Sequence, residues 1–411
     1  EIMPSLVGSE MCIRDRNLLN TDLTLNLSQN IPWTGGSLFL ETSAQRMDLF
    51  SEHKYSWQTS PIMIGYRQSL FGYNSLKWDK RIEPVRYQEA KKSYVETLEL
   101  VSANAINKFF ALATAQSNYD IASFNYANAD TLYRYAQGRY NIGTITENEM
   151  LQLELNRLTE ETNRMNARIE MDNCMQELRS YLGIQEEREI RVRVSSRIPD
   201  FSINLNEALA LAYENSPDIQ TMKRRKLESE SAVARARANA GLKADIYLRF
   251  GLTQTADKLP EAYRNLLDQQ YVSLSISLPI LDWGRGKGQV RVARSNRDLV
   301  YTQVEQNRTD FELNVRKLVK QFNLQTQRVR IAARTDETAQ RRNEVARKLY
   351  ILGKSTILDL NASISEKDSA RRNYVSALYN YWSLYYTLRS MTLYDFESNK
   401  LLTEDYNLLI E

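Results

Sequence analysis

Cysteine and histidine are nearly missing from this 411-residue chain, which has two cysteines, Cys12 and Cys174, and one histidine, His53. Two cysteines build neither a disulfide framework nor a metal quartet. One histidine removes most acid–base triads and His-rich metal sites, and His53 reads as a loop surface residue. No run approaches the roughly 18 consecutive apolar residues of a membrane-spanning helix. An excess of one charge is missing too: 54 Lys and Arg against 51 Asp and Glu leave +3, too little for a dedicated nucleic-acid binder. The glycine run Gly284-Arg285-Gly286-Lys287-Gly288 invites a phosphate reading. A dinucleotide fingerprint would need glycine where Gln289 stands, and the run holds no Gly-Lys-Ser/Thr. It reads as a strand-to-helix transition. With no catalytic constellation left, the chain reads as a non-enzyme that needs no cofactor.

Proline is the next scarcity. No proline falls between Pro84 and Pro199, and none follows Pro279. Glycine is almost absent from these tracts except at matching places, Tyr140-x-x-Gly143 and Tyr350-x-x-Gly353. Tracts without breakers can be helical throughout, and one glycine suits a left-handed C-cap where a helix ends and doubles back. At about 1.5 Å per residue, each arm of such a hairpin would span roughly 60 to 100 Å. No globular domain needs that reach.

What is present is a repeat at a constant offset of 210 residues. Ala136, Tyr140, Gly143, Asn163 and Ala167 recur as Ala346, Tyr350, Gly353, Asn373 and Ala377. Leu178-Arg179-Ser180 returns as Leu388-Arg389-Ser390, and Val101, Ala105, Phe109 and Leu112 pair with Phe311, Val315, Val319 and Phe322. The chain is a duplicated unit.

Within a unit the periodicity switches. Phe311, Val315, Leu318 and Phe322 step by four, three and four, the seam of a packed helix. Val272, Leu274, Ile276 and Leu278 instead alternate with serines, and Ile246, Leu248, Phe250 and Leu252 alternate likewise. Leu23, Leu25 and Leu27 do the same in the first unit, where a weaker strand runs from Ile62 to Leu70. About nine to eleven tilted residues cross a bilayer, and a membrane barrel turns the apolar face to lipid. Four or five strands cannot close a barrel alone, so this reading requires several chains in one barrel.

Ahead of its strands the second unit carries a helical segment, broken at Asn215-Ser216-Pro217. Its counterpart would lie before about residue 31, where residues 2–16 resemble translated sequencing-adapter sequence; the first unit is expected to lack one helical arm. The expected organisation is then a suspect non-native segment 1–16, first-repeat strands 17–72, a helical hairpin 73–184 with its tip near 143, and a linker 185–204. Leading helices 205–245, strands 246–281, a second hairpin 282–390 with its tip near 353 and a tail 391–411 follow. The fold class is mainly α with a β-barrel part.

These residues resemble the TolC-type outer-membrane efflux proteins over about residues 22–390. Leu205-x-Glu207-Ala208-Leu209-x-x-Ala212 with Asn215-x-Pro217-Asp218 looks like that family's helix start. Ser277-Leu278-Pro279-Ile280-Leu281-Asp282 resembles its last strand leading into a long helix. Arg139-Tyr140-Asn141-Ile142-Gly143-Thr144 and Leu349-Tyr350-Ile351-Leu352-Gly353 look like its two hairpin tips. The resemblance implies a homotrimeric α/β-barrel channel in the Gram-negative outer membrane, each chain giving four strands to twelve. It implies a periplasmic tunnel closed at its tip until a periplasmic adaptor protein and an inner-membrane transporter engage it, for tripartite efflux or type I secretion.

The same resemblance places adaptor contacts at Tyr140, Ile142, Gly143, Thr144, Leu352 and Gly353, and an entrance gate at Tyr350 and Asp359. Ala362 stands where a second aspartate often sits, and Ser355 where an arginine partner can occur. Three copies of Asp359 would form an acidic ring that favours cations. Equally, Asp359 reads as a surface residue favourable in a helix's first turn. The two glycines read as structural caps, with or without an adaptor contact. A soluble coiled-coil scaffold is the alternative function; it leaves the alternating strands unexplained.

Overall fold

The computed structural model describes residues 18–50, 53–186, 188–195, 198–199, 201–352 and 354–402. The suspect segment 1–16 and Gly353 therefore lie outside the described residues. Strands β1 (Leu18–Ile31), β2 (Gly36–Leu49) and β3 (Lys54–Ser69) lead into helices α1 (Ser75–Asn141) and α2 (Glu147–Tyr181). Helices α3 (Leu205–Asn215) and α4 (Pro217–Ala240) precede β4 (Lys243–Ala256) and β5 (Leu267–Ser277). Helices α5 (Arg285–Ile351) and α6 (Ile357–Thr392) follow, and the short pair β6 (Tyr394–Asp395) and β7 (Lys400–Leu401) comes last. None of the described helices is long and apolar enough to cross a membrane.

The chain divides into two compact units. One runs up to Arg86 and includes Met222–Val304; the other holds Tyr87–Thr221 and the chain from Glu305 onward. The first unit is built on an antiparallel sheet in the order β1-β2-β3-β4-β5. This sheet has five strands among the described residues, the upper of the four or five expected per chain. The alternation in β2 is visible only near Phe39 and fades through Thr42–Asp48, which hid this strand from the sequence reading. Residues 18–30, in β1, also break the repeat, because their partners 228–240 lie in α4. The period of two at Leu23, Leu25 and Leu27 sets the strand geometry there.

β3 is longer than the segment expected from Ile62, because it continues upstream through Pro61. Proline cannot donate to a ladder, and the pairing accommodates it with irregularities between Thr59 and Ile62 against β4, and between Glu41 and Ser43 against β3. Downstream, Gly65 is needed for a close approach. A Cβ there would lie 2.0 Å from Phe39 Cζ, since the Phe39 ring covers the glycine across the strand pair.

The register sorts side chains onto two faces. Leu27, Leu40, Ile64 and Phe250 stand opposite one another across four strands, and Leu38, Tyr66, Leu248 and Val272 form a second row. Leu27, Leu40, Ile64 and Phe250 are all exposed. On the other face Ser28, Phe39, Gly65, Arg249 and Tyr271 align, followed by Ser37, Arg67, Tyr247 and Ser273. Here the Phe39 ring stacks on Tyr247 at 5.8 Å, with the Arg67 guanidinium 5.5 Å from the Tyr247 ring centroid.

The glycine run after β5 is occupied locally. The Gly284 and Gly286 amides donate to the Asp282 carboxylate at 3.0 and 2.8 Å, so its donors are spent on starting α5. On α4, Arg224 pairs with Glu228 at 3.0 Å and Lys226 lies over the Tyr301 ring.

The second unit is helical. α1 and α5 have 67 residues each, about 100 Å at 1.5 Å per residue, whereas α2 and α6 have 35 and 36. The expected range of arm lengths therefore fits only the outgoing arms; the return arms reach about 50 Å. α1 starts at Ser75, two residues after the expected start of the hairpin at 73, and carries Pro84 inside it.

The long helices pack on one another through named side chains. α2 lies on α1 through Leu112, Ala115, Met171 and Leu178, with Arg157, Arg164 and Arg168 over the rings of Tyr133, Tyr126 and Tyr119. α1 meets α6 where Asn125 Nδ2 donates to Asp368 Oδ2 at 2.7 Å and Arg389 pairs with Glu99 at 2.9 Å. α6 meets α5 where Asn343 donates to Ser363 Oγ at 3.0 Å and Phe322 lies 5.1 Å from the Tyr381 ring. The linker is strapped down as well: Asn323 both donates to the Ile203 carbonyl and accepts from its amide. Tyr381 and Tyr385 are wholly buried, so the aromatic cluster of α6 is helix packing.

Candidate functional site

Among the described residues, the expected site residues lie in or beside the two turns joining the long helices: Ile142, Gly143, Thr144 and Leu352 in the turns, Tyr140 and Tyr350 in the last turns of α1 and α5, and Asp359 in the first turn of α6. α1 stops because Gly143 adopts a φ of +73°, a left-handed conformation that strains any residue with a Cβ. The Gly143 amide donates to the Tyr140 carbonyl and the Thr144 amide to the Arg139 carbonyl, each at 2.9 Å. This paired closure is a Schellman motif. The Thr144 hydroxyl adds a third bond to the Arg139 carbonyl at 2.9 Å. At the second turn Leu352 N donates to Lys348 O at 3.2 Å, and Lys354 N to Leu349 O at 2.9 Å. Ile142 and Leu352 are exposed apolar tips, 74% and 66% accessible, and Tyr140 is exposed beside them.

Both return helices start identically, a feature the sequence reading passed over. Thr146 caps α2 by accepting from the Glu149 amide at 3.3 Å, while the Glu149 carboxylate accepts from the Thr146 amide at 3.1 Å. Exactly 210 residues later Thr356 and Asp359 build the same capping box on α6. The signal was readable as Thr-x-x-Glu and Thr-x-x-Asp ahead of an apolar run.

Asp359 is thus placed in the first turn of its helix. Its Oδ2 accepts from the Thr356 hydroxyl at 2.8 Å and from the Ser355 hydroxyl at 3.3 Å. These bonds, led by that from Thr356, hold the carboxyl below the usual aspartate range. Ser355, at the position where the resemblance allows an arginine, serves the same carboxylate with a neutral donor.

Tyr350 lies elsewhere. It lines a mostly apolar cavity of about 190 Å³ with Leu132, Tyr135, Arg347, Leu360 and Ile364. Burial pushes its phenol up, opposed by the charge of Arg139 and reinforced by that of Glu149. Tyr350 is therefore close to the first turn, and Asp359 is outside its cavity. Among the described residues no cluster of His, Cys, Asp and Glu could hold a metal ion.

Comparison with known proteins gives the context. Residues 208–392 match the sequence model of the family described as outer membrane efflux protein. No match is found among curated proteins. Among solved structures the chain is similar to the CmeC outer membrane channel of Campylobacter jejuni, with a TM-score of 0.68 at 14% identity over 96% of this chain and 80% of that one. The outer membrane protein VceC of Vibrio cholerae superposes with a TM-score of 0.64 at 14% identity, covering 92% and 87% of the two chains. The MtrE outer membrane channel of Neisseria gonorrhoeae, in its open state, gives 0.65 at 12% identity, covering 95% and 82%. The resemblance to the outer-membrane efflux proteins is therefore shown by the family match across residues 208–392, and the chain shares the fold of these channels across nearly its whole length.

Proposed function

We propose that this protein is an outer-membrane channel with a periplasmic tunnel, through which small molecules or proteins leave the cell without chemistry at the protein. The observation that carries this reading is the two-faced sheet. Its cross-strand rows Leu27–Leu40–Ile64–Phe250 and Leu38–Tyr66–Leu248–Val272 form one apolar face, while Arg67, Arg249 and Glu41 belong to the other. Lipid is the solvent that rewards such a surface, with water on the polar side. β1 and β5 are open edges, which lipid does not tolerate, so three copies share one barrel.

The tips form the tunnel entrance. Tyr140, Ile142, Gly143, Thr144, Leu352 and Gly353 meet a periplasmic adaptor protein, and an inner-membrane transporter supplies the cargo. Tyr350 and a ring of three Asp359 carboxylates set the gate, the ring favouring cations.

The test is reconstitution in planar bilayers. Single-channel conductance from detergent-purified trimers is the expected result, and a monodisperse soluble rod without conductance would sink the reading in favour of a coiled-coil scaffold. Ile64→Arg, on the lipid side, should cost about 2 to 4 kcal/mol of insertion. Ser28→Arg, on the opposite face, should insert and change conductance. Asp359→Asn channels with unaltered ion selectivity would remove the ring.

A further inference from the structure

The cavity beside Tyr350 offers chemistry that its own residues leave unused. It lies within the helical unit, between α1, α5 and α6 close to the two turns, and measures about 190 Å³. Leu132, Tyr135, Leu360 and Ile364 supply its apolar walls. Its floor is closed, since Leu360 and Asn343 are buried, and its mouth opens where Tyr135 and Arg347 are exposed. An apolar space of about 150 Å³ stays dry and accepts a benzene ring. The volume here therefore suits one substituted ring.

The polar groups around the cavity fall into two sets. Asn343 and Thr131 are already engaged: Asn343 donates to Ser363 Oγ at 3.0 Å, and the Thr131 hydroxyl to the Ala127 carbonyl at 2.8 Å. Arg347 and Tyr350 are not. Among the described residues, neither the Arg347 guanidinium nor the Tyr350 hydroxyl has an ion pair or a hydrogen bond. The two residues are three apart on α5, so they share a face. No acidic residue lines the cavity, and Arg347 is its one charged group. Arg139 lies over the Tyr135 ring and adds a second positive charge nearby, whereas the Glu149 carboxylate is engaged by the Thr146 amide.

We propose that this cavity binds a small aromatic carboxylate, its ring among Leu132, Leu360 and Ile364 and its carboxylate on the Arg347 guanidinium and the Tyr350 hydroxyl. The walls select the ring and the mouth selects the anion. A planar guanidinium presents two N–H groups to the two oxygens of a carboxylate, and the phenol adds a third donor. A cationic ring would instead meet Arg347 at the mouth. Occupancy ties α5 to α1 and α6 beside the turns. The inference stands on the cavity and is independent of the channel reading.

Benzoate is the probe, with benzyl alcohol as a ring without the charge and acetate as the charge without a ring. In ligand-observed NMR titrations of the detergent-purified protein, benzoate should bind about tenfold more tightly than benzyl alcohol, and acetate should not saturate. Arg347→Gln, at the exposed mouth, should erase the preference for benzoate while benzyl alcohol still binds. Leu132→Phe, which fills the space of the ring, should abolish saturable binding of both. Benzoate should also slow amide exchange in the last turn of α5 of the parent protein and not of Arg347→Gln. Benzoate affinity that is equal in the parent and in Arg347→Gln overturns the carboxylate assignment. Unchanged binding in Leu132→Phe, or no saturable benzoate binding up to about 10 mM, overturns the site. The Arg347→Gln comparison decides by itself if Leu132→Phe loses the parent's helical circular dichroism.

Discussion

The Thr356 hydroxyl donates a 2.8 Å hydrogen bond to the Asp359 carboxylate, and the Asp359 amide returns one of 3.2 Å to Thr356 Oγ1. Thr146 and Glu149 repeat the relationship at the other tip. A long hairpin can reverse in a few residues only if the incoming helix disposes of its last carbonyls and the outgoing helix of its first amides. The glycine turn does the first and the capping box the second.

Removing one cap should therefore loosen one tip. Thr146→Ala is expected to cost about 1 kcal/mol. Amide exchange should accelerate in the first turn of α2 and remain unchanged in the first turn of α6.

The Asp359 cap carries a pH dependence whose sign is fixed. Its carboxyl is held below the usual aspartate range in the folded state, so the stability it contributes is present above the unfolded aspartate value of about 4 and is lost as pH falls through the lower folded value. Exchange protection at the start of α6 should be flat between pH 7 and about 5 and should fall in acid below about 4. Asp359→Asn should flatten that acid limb, which identifies the titrating group.

Two glycines five residues apart should respond oppositely to the same change. Gly143→Ala forces a Cβ into a left-handed conformation and should destabilise the protein by about 1 kcal/mol. Gly138 lies inside α1 with open space where a Cβ would go, so Gly138→Ala should stabilise it by about 0.5 to 1 kcal/mol. Thermal unfolding of the two variants checks the pair.

Arg389 joins Glu99 of α1 to Asp395 beyond α6, with 16% of its side chain exposed and 10% of that of Glu99. Tyr385 donates to the same Asp395 carboxylate. Arg389→Ala would strand a buried carboxylate and should cost about 3 kcal/mol or more in urea unfolding. The double variant Arg389→Met/Glu99→Gln should recover part of that loss, since it neutralises Glu99 and leaves only Asp395, still held by Tyr385, without its cation.

Much of the fold was legible in the residues. The 210-residue offset exposed the duplication, the glycine-marked tips located both turns, and the alternation at Ile246–Leu252 and Val272–Leu278 marked β4 and β5. β2 was not legible, because its alternation fades where its partners on both sides hold it in the sheet. The upstream half of β3 was hidden by Pro61, normally a stop, which a bulge absorbs. At the site, sequence located Tyr350 and Asp359 but not their surroundings. Only packing shows that Tyr350 borders a cavity with α1 while Asp359 is tied to Thr356.

The sequence by itself determined the period of each segment, and so which stretches are helix and which strand, and where each long helix reverses. These are local properties, set by side chains within a few residues of one another. Tertiary structure alone decided which of the apolar stripes find partners inside the chain. Leu112, Met171, Phe322 and Tyr381 are buried between neighbouring helices, while Leu155 and Val345 sit on equally regular stripes and stay exposed. Periodicity sets the face a side chain shares; only the order of helices in space sets what that face meets.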